Sequence, residues 1–333
     1  MPAEPEEITP GAVRLDGRPP VPTRASRASR PRASYTECRD ALDAVSPEPG
    51  AAKPDATLVV SGVRRAFGGL TAVDVVEVQV QRGVVTGLIG PNGAGKTTFF
   101  NLLTGFDRPD AGSWALDGRQ LSGLPAHRVA RAGLVRTFQL TKALSKLTVL
   151  ENMLLGAPHQ RGEGFFASLV APLWRGEERA NTVKALGLLD RFGLAAKKDD
   201  LAGEMSGGQR KLLEMARALM TDPAVLCLDE PMAGVNPALT QSILTHVKTL
   251  REEGLTIIFV EHDMDVIRDI SDWVVAMAQG SIVAEGPPEA ILRDSRVIDA
   301  YLGAHHDAPL TRDEEDAVLA EADASIGPEV QRG

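Results

Sequence analysis

The run LIGPNGAGKTTFF, Leu88–Phe100, is the sequence feature that most restricts how this chain can fold. It contains G-x-x-x-x-G-K-T from Gly90 to Thr97, between an apolar run and a helix-forming run. Glycines in this pattern let backbone N–H groups turn around phosphate oxygens, and the N-terminus of the following helix adds positive potential. The pattern therefore predicts a strand, a phosphate-binding loop and a helix in immediate succession, and it predicts binding of a nucleoside triphosphate.

Two side chains of this loop have a defined chemistry. We expect Lys96 to reach the β- and γ-phosphates and Thr97 to ligate Mg²⁺. Kinases, GTPases, helicases and transport ATPases all carry some version of the loop, so its use is decided elsewhere in the chain. The predicted nucleotide-binding residues here are Gly90, Pro91, Asn92, Gly93, Ala94, Gly95, Lys96, Thr97 and Thr98.

A pair of carboxylates ends the run AVLCLDE. Asp229 lies at the end of this predicted buried strand, where it can hold the Mg²⁺ shell, and Glu230 beside it can polarise an attacking water. The plainer interpretation is two carboxylates at an ordinary strand end. Because a phosphate-binding loop is present in the same chain, we favour the catalytic interpretation.

The run MSGGQRKLLEMARALM, Met205–Met220, decides the class of the protein. Ser206 could simply cap the apolar-periodic helix that follows, but a cap alone needs no Gly-Gly-Gln. A serine and two glycines at a helix N-terminus form a second phosphate site, over a hundred residues from the first. The two loops are best reconciled by a head-to-tail dimer, in which Ser206, Gly207, Gly208 and Gln209 close the nucleotide site of the partner.

The segment 57–303 alternates apolar strand-like runs with helical runs. Strands alternating with helices predict an α/β fold with a mostly parallel sheet covered on both faces. The region of about residues 141–198 is expected to be helical and interrupts this alternation. There is no internal repeat, so we expect one nucleotide-binding unit.

The two ends of the chain differ from this segment. Residues 1–56 are rich in proline, poor in bulky apolar residues and basic in RASRASRPRAS, so we expect a disordered leader. It is either a tail without function or a basic arm that touches anionic lipid. Residues 304–333 are acidic and are expected to form a second disordered tail.

Bulk composition excludes several classes. The chain of 333 residues is 43% hydrophobic and contains no run of 18 apolar residues, so no membrane-spanning helix is expected. Two cysteines make no disulfide framework, and the N-terminus has no apolar signal segment, which favours the cytosol. The formal net charge of −9 argues against binding of nucleic acid.

Together these motifs resemble those of the ATP-binding subunits of ATP-binding cassette (ABC) transporters, over almost all of residues 57–303. The resemblance implies a P-loop ATPase fold with an antiparallel β subdomain and a helical subdomain at about residues 140–208. It also implies roles for three further residues. Gln139 would sense Mg²⁺ and the γ-phosphate, His262 would contact the γ-phosphate, and Phe67 would stack on adenine. Phe99, Phe100 and Phe106 lie nearby in sequence, and some of these aromatics must be core.

Narrower strings, including LTVLENMLLGA, EPMAGVNP and IDAYLG, resemble one ATP-binding subunit of the branched-chain amino acid importers. That resemblance implies ATP and Mg²⁺ as ligands, membrane permease subunits, a second ATPase subunit, identical or different, and, indirectly, a solute-binding protein. It places the chain at the cytoplasmic face of the cell membrane. Related ATPases serve urea, short amides, other amino acids, or the export of lipid or polysaccharide.

Other classes explain less of the chain. A cassette ATPase acting on ribosomes usually has two cassettes, and one acting on DNA has long coiled coils or zinc sites, whereas this chain has neither. A regulatory subunit without turnover conflicts with the intact Lys96, Asp229, Glu230 and His262. A P-loop kinase explains none of the Ser-Gly-Gly-Gln run, Gln139 or His262.

Overall fold

The computed structural model describes residues 33–137, 144–157 and 175–306. Ten strands in this part of the chain form two sheets. In chain order they are β1 (Ala56–Phe67), β2 (Leu70–Gln81), β3 (Val85–Ile89), β4 (Ala111–Leu116), β5 (Arg119–Gln120), β6 (Leu134–Arg136), β7 (Val225–Asp229), β8 (Thr256–Val260), β9 (Trp273–Ala278) and β10 (Ser281–Gly286).

Ten α-helices accompany the strands in the same described ranges. They are α1 (Tyr35–Asp40), α2 (Lys96–Leu103), α3 (Ala126–Ala132), α4 (Val149–Leu155), α5 (Arg175–Arg191), α6 (Gly207–Leu219), α7 (Pro237–Glu252), α8 (Met264–Ile270), α9 (Pro288–Ile291) and α10 (Ser295–His306). None of these helices is both long and apolar enough to cross a bilayer.

The smaller sheet is antiparallel, with strand order β2-β1-β4-β5. Two of its hairpins turn on two-residue loops, Gly68–Gly69 and Asp117–Gly118, whose residues all have positive φ. This backbone geometry matches the right-handed twist of the flanking strands and suits glycine and aspartate. The expected antiparallel β subdomain is therefore present.

The larger sheet has the order β10-β9-β3-β8-β7-β6, and every pairing is parallel except β10 with β9. Its central strands read as continuous apolar runs because both faces are covered, and every residue of β3, β8 and β9 is buried. The predicted α/β fold, with a mostly parallel core sheet, is confirmed.

Helices α4, α5 and α6 form the helical part of the molecule. Their buried side chains, including Met153, Leu189 and Leu213, join one apolar cluster with side chains of the parallel sheet. These helices lie within or directly after the expected helical subdomain of residues 140–208. Residues 138–143 and 158–174 of that prediction lie outside the described residues.

The prediction of a disordered leader through residue 56 is wrong for residues 33–55. Ser34 caps α1, and Cys38 and Leu42 are buried in the core of the antiparallel sheet. The Tyr35 hydroxyl donates to Asp272 Oδ1 at 2.7 Å, and Lys53 forms a fully buried ion pair with Glu285 at 3.0 Å. The composition suggested disorder because these stabilising partners lie far along the chain. Residues 1–32 and 307–333 lie outside the described residues.

Candidate functional site

The predicted site residues gather at the carboxyl edge of the parallel sheet. Strand β3 ends at Ile89 and leads into the phosphate loop, β7 ends at Asp229, and β8 ends at Val260 before Glu261 and His262. These strands are neighbours, with Leu88 opposite Val260 and Val260 opposite Asp229. Strand order therefore brings together residues separated by more than 160 positions, at the edge where open α/β sheets bind ligands.

The phosphate loop turns from β3 into α2 with the geometry expected of its glycines. Gly95 precedes α2 with φ of 98°, and a Cβ there would lie 2.3 Å from the Ala72 carbonyl oxygen. Only glycine fits both the backbone conformation and this close approach. The loop is thus held against strand β2 while it leads into the N-terminus of α2.

Lys96 folds back over this loop. Its ammonium group donates to the carbonyl oxygens of Gly90 and Pro91, the latter at 3.0 Å. Burial lowers the pKa of Lys96, while the carboxylates of Glu230 and Asp229 act to raise it. The lysine and the two carboxylates therefore interact electrostatically across the sheet edge.

Asp229 is paired with a residue that the motifs did not single out. Arg136, at the end of β6, donates through Nη2 to Asp229 Oδ2 and through Nη1 to Asn101 Oδ1 at 2.6 Å. The guanidinium group also lies over the ring of Phe100, with its Cζ 5.6 Å from the ring centroid. Arg136 therefore links the acidic strand end to helix α2.

Glu230 adopts a left-handed backbone conformation with φ of 43°. Its N–H donates to the Val260 carbonyl at 3.0 Å, which fixes this turn against the end of β8. A non-glycine residue in this region costs about 1–2 kcal/mol, and such strain is found most often where a side chain is held for function. The exposed Glu230 side chain is thus placed by its backbone.

His262 is exposed, whereas its neighbour Glu261 is buried. Glu261 Oε1 accepts the Met232 N–H at 2.9 Å, and its Oε2 lies 3.9 Å from His262 Nδ1. Burial raises the pKa of Glu261, with the Met232 N–H acting in the opposite direction. Glu261 therefore ties the end of β8 to the loop that follows Glu230.

Ser206 and Gln209 form a reciprocal cap at the start of α6. The Gln209 N–H donates to Ser206 Oγ at 3.3 Å, and the Ser206 N–H donates to Gln209 Oε1 at 3.0 Å. The expectation that a cap has no use for this glutamine is therefore wrong, because Gln209 completes a capping box. Among the described residues, no hydrogen bond joins Ser206–Gln209 to the phosphate loop.

The two glycines of this run differ in their surroundings. A Cβ on Gly208 would lie 1.4 Å from Leu239 Cδ2, so packing of α7 explains this glycine. A Cβ on Gly207 would meet nothing nearer than Arg210 Nη2 at 4.0 Å. Packing among the described residues therefore does not explain Gly207.

Phe67 lies at the end of β1 with 48% of its surface exposed, while Phe99 and Phe100 are buried. The Arg65 guanidinium carbon lies 4.5 Å from the Phe67 ring centroid. Asp107 and Asp110 pair with Arg65 at 3.0 and 2.9 Å, which holds this cation–π contact in place. The supported, exposed ring suits stacking, whereas Phe99 and Phe100 belong to the core.

The residues predicted to hold Mg²⁺ offer suitable ligands. Thr97 is exposed in the first turn of α2, and Asp229 ends the neighbouring β7, so both present the hard oxygen atoms that Mg²⁺ takes. Arg136 Nη2 donates to Oδ2 of Asp229. Gln139, the third predicted ligand, follows the end of β6 but lies outside the described residues.

Comparison with known proteins identifies the family. The "Probable branched-chain amino acid transport ATP-binding protein LivG" of Archaeoglobus fulgidus is 43% identical over 247 residues, which cover 74% of this chain and 95% of that protein. The chain belongs to the ABC transporter family. The model of the ABC transporter family matches residues 73–233, and the model "Branched-chain amino acid ATP-binding cassette transporter" matches residues 281–307.

Two further relatives of this ABC transporter subunit are also named as ATP-binding proteins of branched-chain amino acid transport. The high-affinity branched-chain amino acid transport ATP-binding proteins BraF of Pseudomonas aeruginosa and LivG of Escherichia coli are 43% and 40% identical over 248 residues. Each match covers 74% of this chain and 97% of the relative. The unmatched part of this chain therefore corresponds to little in these relatives.

A solved ATP-binding cassette of an ABC transporter in its ADP conformation has a TM-score of 0.66 and 37% identity, covering 74% of this chain and 99% of that one. A nucleotide-free cassette gives 0.65 and 36%, covering 74% and 98%. The expected ABC ATPase fold is confirmed, and with it the assignment of the chain as a nucleotide-binding ATPase of this family.

Proposed function

We propose that the chain is the ATP-hydrolysing subunit of an importer for branched-chain amino acids. The observation that carries the solute class is the match of residues 281–307 to the branched-chain amino acid transporter model, since this segment lies beyond the shared ATPase motifs. Relatives named for the transport of these amino acids, at 40–43% identity, support the same class. The solute itself does not bind this subunit, so its residues encode the coupling of ATP hydrolysis to transport.

Binding of ATP is assigned to the phosphate loop and Phe67. Backbone N–H groups within residues 92–98 would surround the phosphates, and Lys96 would exchange the carbonyls of Gly90 and Pro91 for phosphate oxygens. Phe67, supported by Arg65, would stack on adenine. Thr97, Asp229 and Gln139 would hold Mg²⁺, which neutralises charge on the phosphates when bound.

Glu230 and His262 are assigned to the hydrolytic step. The left-handed turn at Glu230 supports its role in orienting and polarising the attacking water. His262, exposed beside the end of β8, would contact the γ-phosphate. Because Glu261 links this histidine to the loop after Glu230, the two groups can move together when the site closes.

A second subunit would complete each site. In this arrangement Ser206, Gly207, Gly208 and Gln209 of one subunit lie against the γ-phosphate bound by the other, and two ATP molecules are enclosed between the subunits. The open side of Gly207 supports this arrangement, because no atom of the described residues lies nearer than 4.0 Å to a Cβ added there. The second subunit is either a copy of this chain or a related ATPase.

The partners of this dimer would be two membrane permease subunits, reached at the cytoplasmic face of the cell membrane. Closure of the dimer would move the helical part near Gln139 and so pull on the permeases. A solute-binding protein on the other side would deliver the amino acid. The leader's basic run RASRASRPRAS remains a proposed contact with anionic lipid, for residues before the folded Ser34.

Uptake of radiolabelled leucine tests the solute class. A strain lacking this gene should take up leucine when the wild-type chain is restored and fail to do so with Lys96→Ala. Unlabelled isoleucine and valine should compete, whereas urea and short amides should not. Competition by urea or an amide alone, or leucine uptake that does not depend on the chain, would contradict the proposed solute and leave the ATPase assignment standing.

A further inference from the structure

A side chain in the middle of helix α10 contacts the phosphate loop. The Gly90 N–H donates to the hydroxyl oxygen of Tyr301 at 2.8 Å, across a sequence separation of 211 residues. The helix packs on β9 and β10, and the Tyr301 side chain is half-buried. Burial raises the pKa of the Tyr301 phenol, which keeps the acceptor a neutral hydroxyl.

Gly90 needs this acceptor because the sheet ends one residue earlier. Parallel pairing of β3 with β9 stops at Ile89, opposite Ala276, and pairing with β8 stops at Leu88. The Gly90 N–H is buried and has no strand to donate to. A buried N–H without an acceptor destabilises the fold, and the Tyr301 hydroxyl supplies that acceptor.

Gly90 is also the residue through which the loop holds its lysine. Its carbonyl accepts from Lys96 Nζ, so the two peptide groups flanking Gly90 are held by Tyr301 on one side and Lys96 on the other. A Cβ on Gly90 would lie 2.1 Å from the Met277 carbonyl oxygen, so this part of the loop is pressed against the end of β9. The Gly280 N–H, in the β9–β10 turn, donates to the Ala94 carbonyl at 3.0 Å.

We propose that Tyr301 is a positioning residue of the nucleotide site, and that helix α10 forms part of the support of the phosphate loop. The hydroxyl fixes the Gly90 peptide and thereby the place from which Lys96 meets the phosphates. Tyr301 lies within residues 281–307, the segment matched by the branched-chain amino acid transporter model. The inference rests on the phosphate-binding role proposed for Lys96.

The chain supplies a matched control, since it contains two tyrosines. Tyr35 is also half-buried, and its hydroxyl also makes one tertiary hydrogen bond, to Asp272 Oδ1 at 2.7 Å. It lies on α1, and its partner precedes β9 at the edge opposite to the phosphate loop. Tyr35→Phe and Tyr301→Phe each remove one hydroxyl, so both lower the free energy of unfolding, but only Tyr301→Phe alters the loop.

The test measures ATP and ADP affinity of the full-length chain by titration calorimetry. We expect Tyr301→Phe to bind both nucleotides about three- to tenfold more weakly, because a phosphate loop without this support must be ordered when nucleotide binds, and Tyr35→Phe to bind them as wild type does. In Tyr35→Phe the sole remaining tyrosine is Tyr301, so ring-labelled tyrosine gives one NMR signal. That signal should shift when ADP or ATP is added.

The outcomes separate this inference from the function on which it rests. Equal affinities for the two variants, or a tyrosine signal that nucleotide does not move, would overturn the role of Tyr301. If Tyr301→Phe does not fold, the test rests on the NMR signal of Tyr301 in Tyr35→Phe, which should shift when nucleotide is added. Unchanged ATP binding in Lys96→Ala would instead remove the phosphate-binding role of Lys96, whatever the tyrosines do.

Discussion

The contacts of Lys96 support the proposal that its side chain binds phosphate. Its ammonium group is held by two backbone carbonyls of its own loop. The carboxylates of Asp229 and Glu230, at the end of β7, also act on it. Carbonyl oxygens are neutral and phosphate oxygens are charged. The hydrogen bonds of the Lys96 ammonium group therefore become stronger when phosphate oxygens replace the two carbonyls. The carbonyls of Gly90 and Pro91 thus position the Lys96 ammonium group to bind an anion, and they leave its positive charge unbalanced.

We therefore expect Lys96→Ala to lose ATP hydrolysis by about 100-fold or more while the fold is kept, since Lys96 is half-buried at the start of α2 and alanine favours helix. Lys248→Ala is the control, because Lys248 is an exposed lysine that pairs with Asp269 on α8, away from the sheet edge. Phosphate release and circular dichroism are measured on both variants. Hydrolysis by Lys96→Ala at the rate of Lys248→Ala would refute the assignment.

Glu230 stores backbone strain at the end of β7. Glu230→Gln keeps the size of the side chain and removes its charge, so we expect hydrolysis to fall by roughly 100-fold and ATP-bound dimers to accumulate. Size-exclusion chromatography with ATP should show the dimer. Glu253→Gln, at an exposed glutamate paired with Arg191, should behave as wild type. Rapid turnover in Glu230→Gln would exclude its role with the attacking water.

At the scale of elements, the N-terminal segment of residues 33–55 is built into the ATPase core. Lys53 and Glu285 have side-chain exposures of 1% and 0%, and Lys53 Nζ also lies 4.3 Å from the ring centroid of Trp273. Glu285 Oε1 accepts the Ala51 N–H at 2.7 Å as well. The segment therefore fastens itself to β9 and β10, the strands that also support the phosphate loop.

Lys53→Met should lower the free energy of unfolding by about 3–5 kcal/mol at neutral pH, because it leaves the buried Glu285 carboxylate without its cation. Burial already raises the pKa of Glu285 above 4.5, while Lys53 acts to lower it, so the variant raises it further. A raised native pKa gives stability that is present below pH 4.5 and is lost as pH rises through the native pKa. The deficit of Lys53→Met should therefore shrink as pH falls.

Urea unfolding between pH 4.5 and 8 measures this difference. Lys53→Met combined with Glu285→Gln should regain most of the lost stability and lose the added pH dependence, since no buried charge remains. Lys248→Met is the control at an exposed pair with Asp269, and it should cost under about 1 kcal/mol. A deficit for Lys53→Met that is the same at all pH values would contradict the buried-charge account.

The same elements mark what the sequence could and could not predict. The strand–loop–helix succession at Leu88–Phe100 and the mostly parallel α/β fold follow from patterns that span a few residues, and these predictions are confirmed. Arg136 with Asp229 and Lys53 with Glu285 join positions 93 and 232 residues apart, so no local pattern indicated them. Lys53 lies in a proline-rich run, so the sequence alone suggests that it is exposed to solvent. Only the fold shows that it is buried against Glu285 of β10.

At the scale of the whole molecule, the two parts proposed for a nucleotide site lie on different elements of the fold. Lys96, Asp229, Glu230 and His262 gather at one sheet edge, whereas the N-terminus of α6 belongs to the helical part. Ser206 and Gln209 satisfy each other there. Within the described ranges, no side chain packs against the open side of Gly207, and its φ is not positive, so we propose a contact with a second subunit as the reason for this glycine.

Gly207→Ala tests whether that reason is a second subunit. Its Cβ meets open space and alanine favours helix, so we expect the free energy of unfolding to stay level or to rise by up to about 1 kcal/mol. In the dimer the same methyl group would lie where the partner's ATP approaches. We therefore expect ATP-dependent dimers in the Glu230→Gln background to weaken, measured by size-exclusion chromatography.

Gly187→Ala is the matched control, because Gly187 is an exposed glycine of α5 whose added Cβ also meets nothing within 4 Å. It should gain stability and leave ATP-dependent dimers intact. Gly208→Ala should instead lower the free energy of unfolding, because the added methyl group would clash with Leu239. If Gly207→Ala dimerises as Gly187→Ala does, Gly207 does not face the partner's nucleotide, and the capping box would be the whole function of this run.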